Sequence, residues 1–141
     1  MGQLLGLDFG LRRIGVASGH TDSGLATPLT TVHNSADDIN WPAIDKLISD
    51  WRPSALVVGV PVHMDGSETT TTPLAIAFIQ SLEARYQLPV HHADERYSSR
   101  EAVALIKENR QAGRRKRAQK GDVDQIAAAL ILQRWMESNS Q

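Results

Sequence analysis

The sequence predicts an α/β fold in which a mixed five-stranded sheet carries helices on both of its faces. Three short apolar runs come first, separated by turn residues, which is typical of an antiparallel meander. Two further strand-like runs then alternate with segments whose apolar residues recur at helical spacing. Because strands that alternate with helices form βαβ units, this order predicts a sheet with both antiparallel and parallel pairs.

The meander is predicted from three runs in the first 32 residues. Residues 3–9 and 12–18 flank the short connection Gly10-Leu11, the pattern of a β-hairpin. Residues 26–32 form the third predicted strand, after the turn-rich segment 21–24.

The rest of the chain alternates helices and strands. Pro53 cannot continue a helix and ends the first one, whereas Pro73 suits the start of the second. The predicted elements are a helix over 36–51, a strand over 55–60, a helix over 73–86, a strand over 88–93, a helix over 99–108 and a last helix over 123–136.

The composition indicates one globular domain spanning residues 1–141. An apolar content of 41% is ordinary for a soluble protein. The sequence has no cysteine, which excludes disulfides and thiolate metal sites and agrees with a reducing cytoplasm. No run approaches the roughly 20 apolar residues of a membrane span, and the N-terminus lacks the pattern of a signal peptide. We therefore expect a cytoplasmic protein without a membrane partner.

Positive charge is concentrated in one segment, although the net charge is only −1. Of fifteen Lys and Arg residues, seven lie between Lys107 and Lys120, with Glu108 as the only acid among them. Such a run is consistent with a solvated loop or with an arm that contacts phosphates.

Five carboxylates lie at strand ends or at a helix start. Asp8 lies within an otherwise apolar strand, where a charge costs stability unless it is compensated. Asp94 and Glu95 follow the strand over 88–93, and they have the alternative role of pairing with nearby arginines. Asp122 and Asp124 open the last helix, where they have the alternative roles of capping it and complementing its dipole.

If these acids converge, they form a site for a hard divalent cation. Carboxylate oxygens suit Mg²⁺ or Mn²⁺. Such ions activate a water and stabilise the leaving oxygen in phosphodiester cleavage. The pattern therefore favours a hydrolase, a metal-dependent nuclease.

Four motifs make the chain resemble the YqgF/RuvX family, described as Holliday junction resolvases and pre-16S rRNA nucleases with the RNase H-like fold. The motifs are the segment from Leu7 to Ala17, Val58 to Pro61 with Met64 to Gly66, Asp94 to Ser99, and Lys120 to Ala128. They occur in the family's order and spacing, and the resemblance covers essentially the whole chain.

The resemblance implies that Asp8, Glu95 and Asp124 are the catalytic, metal-binding acids. Asp94 and Asp122 are the second choices. Neighbouring strand residues face opposite ways and helix residues two apart nearly do, so one residue of each pair is expected to reach the site. The resemblance favours Asp124, which holds the aspartate position of the family's Val-Asp-x-x-Ala-Ala pattern. The resemblance also implies processing of the 5′ end of pre-16S rRNA in ribosome biogenesis, with pre-ribosomal particles as partners.

Several cations are expected to bind nucleic acid near these acids. The basic stretch over 110–120 precedes Asp124 and would flank the site, offsetting its repulsion of a polyanion. The candidates are Arg12, Arg13, Arg96, Arg114, Arg115, Lys116, Arg117 and Lys120. For the first two the alternative is a solvated turn, and for Arg96 it is the orientation of a neighbouring carboxylate.

Three other functions are consistent with the sequence. A Holliday junction resolvase would act on branched DNA and need a dimer with two sites, whereas the chain is otherwise expected to be a monomer or a weak homodimer. A non-catalytic module that binds RNA or the pre-ribosome is favoured by the lack of an acid in the strand over 55–60. A fragment of an actin/Hsp70-like ATPase is suggested by Asp8-Phe-Gly10, but that class needs two domains.

Overall fold

A computed structural model of the chain describes residues 2–35, 38–62, 67–94 and 120–139. The predicted helix over 99–108 lies outside these ranges. The elements in the described ranges are the strands β1 (Gln3–Asp8), β2 (Arg13–His20) and β3 (Leu25–His33), helix α1 (Trp41–Trp51), strand β4 (Ala55–Val60), helix α2 (Thr72–Tyr86), strand β5 (Val90–Asp94) and helix α3 (Lys120–Asn139).

The five strands form one mixed sheet in the order β3-β2-β1-β4-β5, which confirms the predicted meander and parallel units. β1 pairs with β2 and β2 with β3 in antiparallel fashion, whereas β1 with β4 and β4 with β5 are parallel. Because β1, β4 and β5 run in the same direction, their carboxyl ends meet at one edge of the sheet. In open α/β sheets that edge is where ligands bind.

Helix α1 begins five residues later than predicted. Asn40 caps it, because its side-chain oxygen accepts a hydrogen bond from the backbone N–H of Ala43, and Pro42 lies in the first turn. The apolar Ile39, which suggested an earlier start, packs against the core from outside the helix.

A hydrophobic core lies on each face of the sheet, as the alternation of side chains requires. One face of β1 and β4 contributes Leu5, Leu7, Leu56 and Val58 to a core shared with α1 and α2. The opposite face of the sheet contributes Leu4 of β1, Ala17 of β2, and Ala55 and Val57 of β4 to a core shared with α3. The prediction of helices on both faces is therefore confirmed.

Small residues let α3 lie unusually close to the sheet. Ala127 and Ala128 are fully buried, and the sheet presents Gly6, Gly15 and Gly19 to this helix. A Cβ atom at Gly6 would lie 3.2 Å from the carbonyl oxygen of Ala128, and one at Gly19 would lie 3.1 Å from the terminal methyl of Met136. The helix consequently starts at the edge where β1 ends and runs back along that strand.

Two side chains of α3, those of Gln125 and Gln133, attach the edge strand β3 and the turn before it to the helix. The Gln125 amide nitrogen donates to the Thr31 hydroxyl at 3.1 Å. The Gln133 amide oxygen accepts from the backbone N–H of Ala26 at 2.9 Å, and its nitrogen donates to the carbonyl of Gly24 at 2.6 Å. These bonds fix α3 along the sheet. In the ranges given above, no helix is both long and apolar enough to cross a bilayer.

Candidate active site

A cleft of about 370 Å³ opens at the edge of the sheet where β1 ends. It lies between the β1–β2 turn, the end of β4, the start of α2 and the first turns of α3. Its lining residues are Asp8, Phe9, Gly10, Leu11, Arg12, Arg13, Pro61, Thr71 and Asp124.

Asp8 is the last residue of β1, and it is only 7% exposed. Its cross-strand partners are Gly15 on β2 and Gly59 on β4. Both neighbours lack a side chain, so the carboxylate has glycine on either side within the sheet. A buried charge in this position is retained at a cost in folding free energy unless a partner compensates it, which marks Asp8 as a functional candidate.

Asp124 reaches the same place from helix α3. A Cβ atom built on Gly15 would lie 2.9 Å from the Cβ of Asp124. Asp124 therefore lies directly over the cross-strand partner of Asp8. Because directly opposed residues of an antiparallel pair have Cα atoms about 5 Å apart and share a face, the two aspartates are neighbours above the sheet.

Arg13 forms an ion pair with Asp124. Its Nε donates to Oδ2 of the carboxylate at 2.5 Å, and the two side chains are 34% and 22% exposed. Arg13 lies two residues before Gly15 on β2, so both face α3. The pair neutralises one of the two carboxylate charges in the cleft.

Arg12 and Leu11 are exposed in the turn that forms one wall of the cleft, and Leu11 is 55% exposed. An exposed guanidinium beside two carboxylates can contact a phosphate that approaches them.

Pro61 and Thr71 form the opposite wall, and neither was a candidate site residue in the sequence, although Pro61 ends one of the four motifs. The buried Thr72 hydroxyl donates to the carbonyl of Pro61 at 2.5 Å and thereby fixes the start of α2 at the end of β4. The position of Pro61 in the sequence could have identified it, because it directly follows β4, the strand that lies parallel to β1.

Of the candidate site residues, the structure places Asp8, Arg12, Arg13 and Asp124 around one cleft. Glu95, Arg96 and the basic residues Arg114, Arg115, Lys116 and Arg117 lie outside the described residues. Asp94 ends β5, and Lys120 and Asp122 belong to α3, but their side chains are likewise outside the part of the chain that the structure describes. Within that part, no three His, Asp or Glu residues cluster closely enough to hold a metal.

Several solved structures that share this RNase H-like fold are Holliday junction resolvases. Fowlpox virus resolvase superposes with a TM-score of 0.59 at 14% identity, covering 96% of this chain and 99% of the viral one. RuvC of Thermus thermophilus, solved in complex with a Holliday junction, superposes with a TM-score of 0.55 at 14% identity over 98% and 95% of the two chains. At 14% sequence identity, the structural similarity to these resolvases establishes only that the fold is shared.

The chain belongs to the RuvX family, described as Holliday junction resolvase, whose family model matches residues 2–138. A relative from Dechloromonas aromatica, named "Putative pre-16S rRNA nuclease", is 46% identical over 138 residues, or 98% of this chain and 92% of the relative. A Legionella pneumophila protein of the same name is 41% identical over 98% of this chain and 97% of its own length. The chain is therefore a member of a nuclease family, a class of hydrolases.

Proposed function

We propose that the chain is an endonuclease that cleaves structured nucleic acid with a divalent metal held by Asp8, Asp124 and Glu95. The observation that carries this proposal is the position of Asp124 over Gly15, the cross-strand partner of Asp8. Two carboxylates from different elements line one cleft there, beside two arginines.

The donor set fits Mg²⁺ or Mn²⁺, since both ions prefer carboxylate oxygen and the cleft offers two such groups. When bound, such an ion activates water for attack and stabilises the leaving oxygen of a phosphodiester. Asp8, fixed at the end of a paired strand, is the rigid ligand. Asp124 approaches from the helix side.

Glu95 is proposed as the third ligand, with Asp94 as the alternative. The residues of β5 that contact α3 or its core are odd-numbered, since His91 stacks on Trp135 and Ala93 packs against the α3 core. Asp8 also belongs to the α3 face of the sheet, because it follows Leu4 and Gly6 at intervals of two. Glu95 continues the odd-numbered series, which supports it over Asp94.

Charge on the chain itself would hold the substrate. Arg12 is exposed in the cleft wall and is proposed to bind the phosphate next to the cleavage site. Arg96, together with Arg114, Arg115, Lys116, Arg117 and Lys120, is proposed to bind flanking phosphates. These contacts are independent of base sequence and would position a folded substrate over the two aspartates.

The proposed substrate is the precursor of 16S rRNA, cleaved at its 5′ end in the cytoplasm, alone or within a pre-ribosomal particle. Relatives at 41–46% identity carry the name of that activity. A second candidate is branched DNA, since the family description and the shared fold point to Holliday junction resolvases. Junction resolution would need two active sites in a dimer, whereas we propose a monomer or weak homodimer for rRNA processing.

A non-catalytic RNA-binding role is the remaining alternative. It is favoured by Gly59, which occupies the β4 position beside Asp8 where a further acid would strengthen the site. Cleavage of a nucleic-acid substrate distinguishes the proposed nuclease from this non-catalytic alternative.

The test compares cleavage of pre-16S rRNA and of a four-way DNA junction by wild type and by Asp8→Asn, with Mg²⁺ and with Mn²⁺. The amide keeps the shape of the side chain but removes its charge, so we expect a loss of at least about a hundredfold, comparable to removing one key electrostatic group. Asp22→Asn is the matched control, because Asp22 is 85% exposed in the β2–β3 turn and outside the cleft. Equal cleavage by wild type and Asp8→Asn would contradict the proposal.

A further inference from the structure

The ion pair between Arg13 and Asp124 joins the first residue of β2 to the first turns of α3, 111 residues further along the chain. It uses the guanidinium Nε–H, and a charge-assisted bond of this kind is among the stronger hydrogen bonds in proteins. Asp124 is thus already bound to a cation that the protein itself supplies.

A divalent metal on Asp124 would compete with this cation. The metal and the guanidinium carry charge of the same sign, and within a few ångströms like charges repel strongly in a partly desolvated cleft. The Asp124 carboxylate therefore binds the metal more weakly while the Arg13 guanidinium is attached to it. The ion pair therefore lowers the affinity of the site for metal in the absence of substrate.

The Arg13 guanidinium has an alternative binding partner in the cleft, a substrate phosphate. It lines the open cleft, is 34% exposed on its side chain and carries further N–H groups suited to a phosphate. A phosphate near Asp8 and Asp124 would lie within the region that this flexible side chain borders.

We propose that Arg13 is a positioning residue that exchanges Asp124 for a substrate phosphate, and so couples metal binding to nucleic-acid binding. The inference rests on the proposed function, because it takes Asp8 and Asp124 as the metal ligands. Nucleic acid draws Arg13 from Asp124 and raises metal affinity. By thermodynamic reciprocity, metal raises the affinity for nucleic acid by the same factor.

The test measures Mn²⁺ affinity by titration, without nucleic acid and with a short unbranched DNA duplex that supplies backbone phosphate. Without DNA, Arg13→Gln should bind Mn²⁺ about three- to tenfold more tightly than wild type, because the competing charge is gone. With DNA, wild type should gain about fivefold or more in Mn²⁺ affinity, whereas Arg13→Gln should gain less than about twofold. Wild-type or weaker Mn²⁺ affinity of Arg13→Gln without DNA would overturn the inference.

Two further variants control for charge and folding. Arg12→Gln removes the same charge from the same cleft but leaves the ion pair, so its Mn²⁺ affinity without DNA should stay within about twofold of wild type because exposed charge is screened. Arg13→Lys keeps a cation beside Asp124, so its metal affinity should resemble that of wild type. If Arg13→Gln fails to fold by thermal melting, an Arg13→Lys variant with Mn²⁺ binding several-fold tighter than wild type would overturn the inference.

The outcomes separate the inference from the proposed function. If Asp8→Asn abolishes cleavage and Arg13→Gln leaves Mn²⁺ affinity unchanged, the site assignment stands and the coupling is wrong. If Asp8→Asn cleaves like wild type, the proposed function itself is wrong.

Discussion

Asp124 lies so close to Gly15 that a Cβ atom on Gly15 would come within 2.0 Å of the Asp124 carbonyl oxygen. No side chain fits at the Gly15 position between β2 and α3. Since Gly15 pairs with Asp8, the absence of one side chain sets the distance between the two carboxylates of the cleft.

Replacing Gly15 by alanine should therefore displace α3 at Asp124. The atom in the way is backbone and cannot rotate aside, so we expect a loss of about 1–3 kcal/mol in unfolding free energy, typical of overpacking. Cleavage should fall more than this loss explains, because Asp124 moves away from Asp8. Chemical denaturation and cleavage rates measured on the same samples check both effects.

Gly19→Ala is the matched control. Its Cβ would first meet the ends of two flexible side chains in the same interface, those of Leu132 at 2.9 Å and Met136 at 3.1 Å, and the Leu25 carbonyl oxygen would lie slightly further away at 3.2 Å. These ends can shift, so stability should fall less and cleavage should persist. A Gly15→Ala variant with wild-type activity would contradict the role given to this contact.

Neutralising the basic stretch should weaken binding to nucleic acid without regard to sequence. The change is the fourfold variant of Arg114, Arg115, Lys116 and Arg117 to Gln. For every phosphate that the variant no longer neutralises, the slope of log affinity against log salt should become shallower by about 0.9 on duplex DNA. Fluorescence anisotropy at several salt concentrations measures this slope.

A matched control takes cations from α1 and its end. Lys46 and Arg52 are exposed there, on the face of the sheet opposite α3. Replacing them by Gln should leave the salt slope unchanged. An unchanged slope in the fourfold variant would instead mean that the basic stretch is a solvated loop.

Asp45 should titrate far below an ordinary aspartate. Two donors from α2 hold its carboxylate, Arg85 at 2.8 and 2.9 Å and the Tyr86 hydroxyl at 2.6 Å. The hydrogen bond from Arg85, followed by that from Tyr86, lowers the pKa of Asp45 to about 2. Burial and the bond to Asp45 raise the pKa of Tyr86, and the bond to Asp45 raises the pKa of Arg85.

The lowered pKa of Asp45 determines whether its interactions stabilise the folded protein more at high or at low pH. The folded pKa of Asp45 lies below its unfolded value of about 3.9, so the contribution is complete above about pH 4 and diminishes as the pH falls towards 2. Carboxyl-detected NMR should show the Asp45 midpoint near 2, and Arg85→Gln should move it up towards about 3.9. A wild-type midpoint close to that ordinary value would contradict the contact.

Much of the fold was predictable because its signals are local. The apolar run over 55–60 coincides with β4, and the hairpin around Gly10-Leu11 is confirmed. Features that depend on tertiary packing were predicted less accurately. Ile39 continued the apolar spacing of α1 but packs on the core from outside it, because the Asn40 cap makes the helix start at Trp41.

Two acids of the cleft, Asp8 and Asp124, were already candidates in the sequence, but the geometry of the cleft was not predictable from it. Asp8 was visible as a charge ending an apolar strand. The ion pair of Arg13 with Asp124 joins residues 111 apart, and no local pattern indicates such a contact. Thr71 likewise lines the cleft beside Pro61, at a point where the Thr72 hydroxyl bonds the start of α2 to the end of β4.

The most direct test of the central claim is the position of Mn²⁺ in crystals of the protein soaked with manganese, located by anomalous diffraction. We predict one peak in the cleft within about 2.5 Å of a carboxylate oxygen of both Asp8 and Asp124, as direct ligation requires. The peak should vanish in crystals of Asp8→Asn. A peak that contacts neither aspartate, or one that persists in Asp8→Asn, would contradict the account.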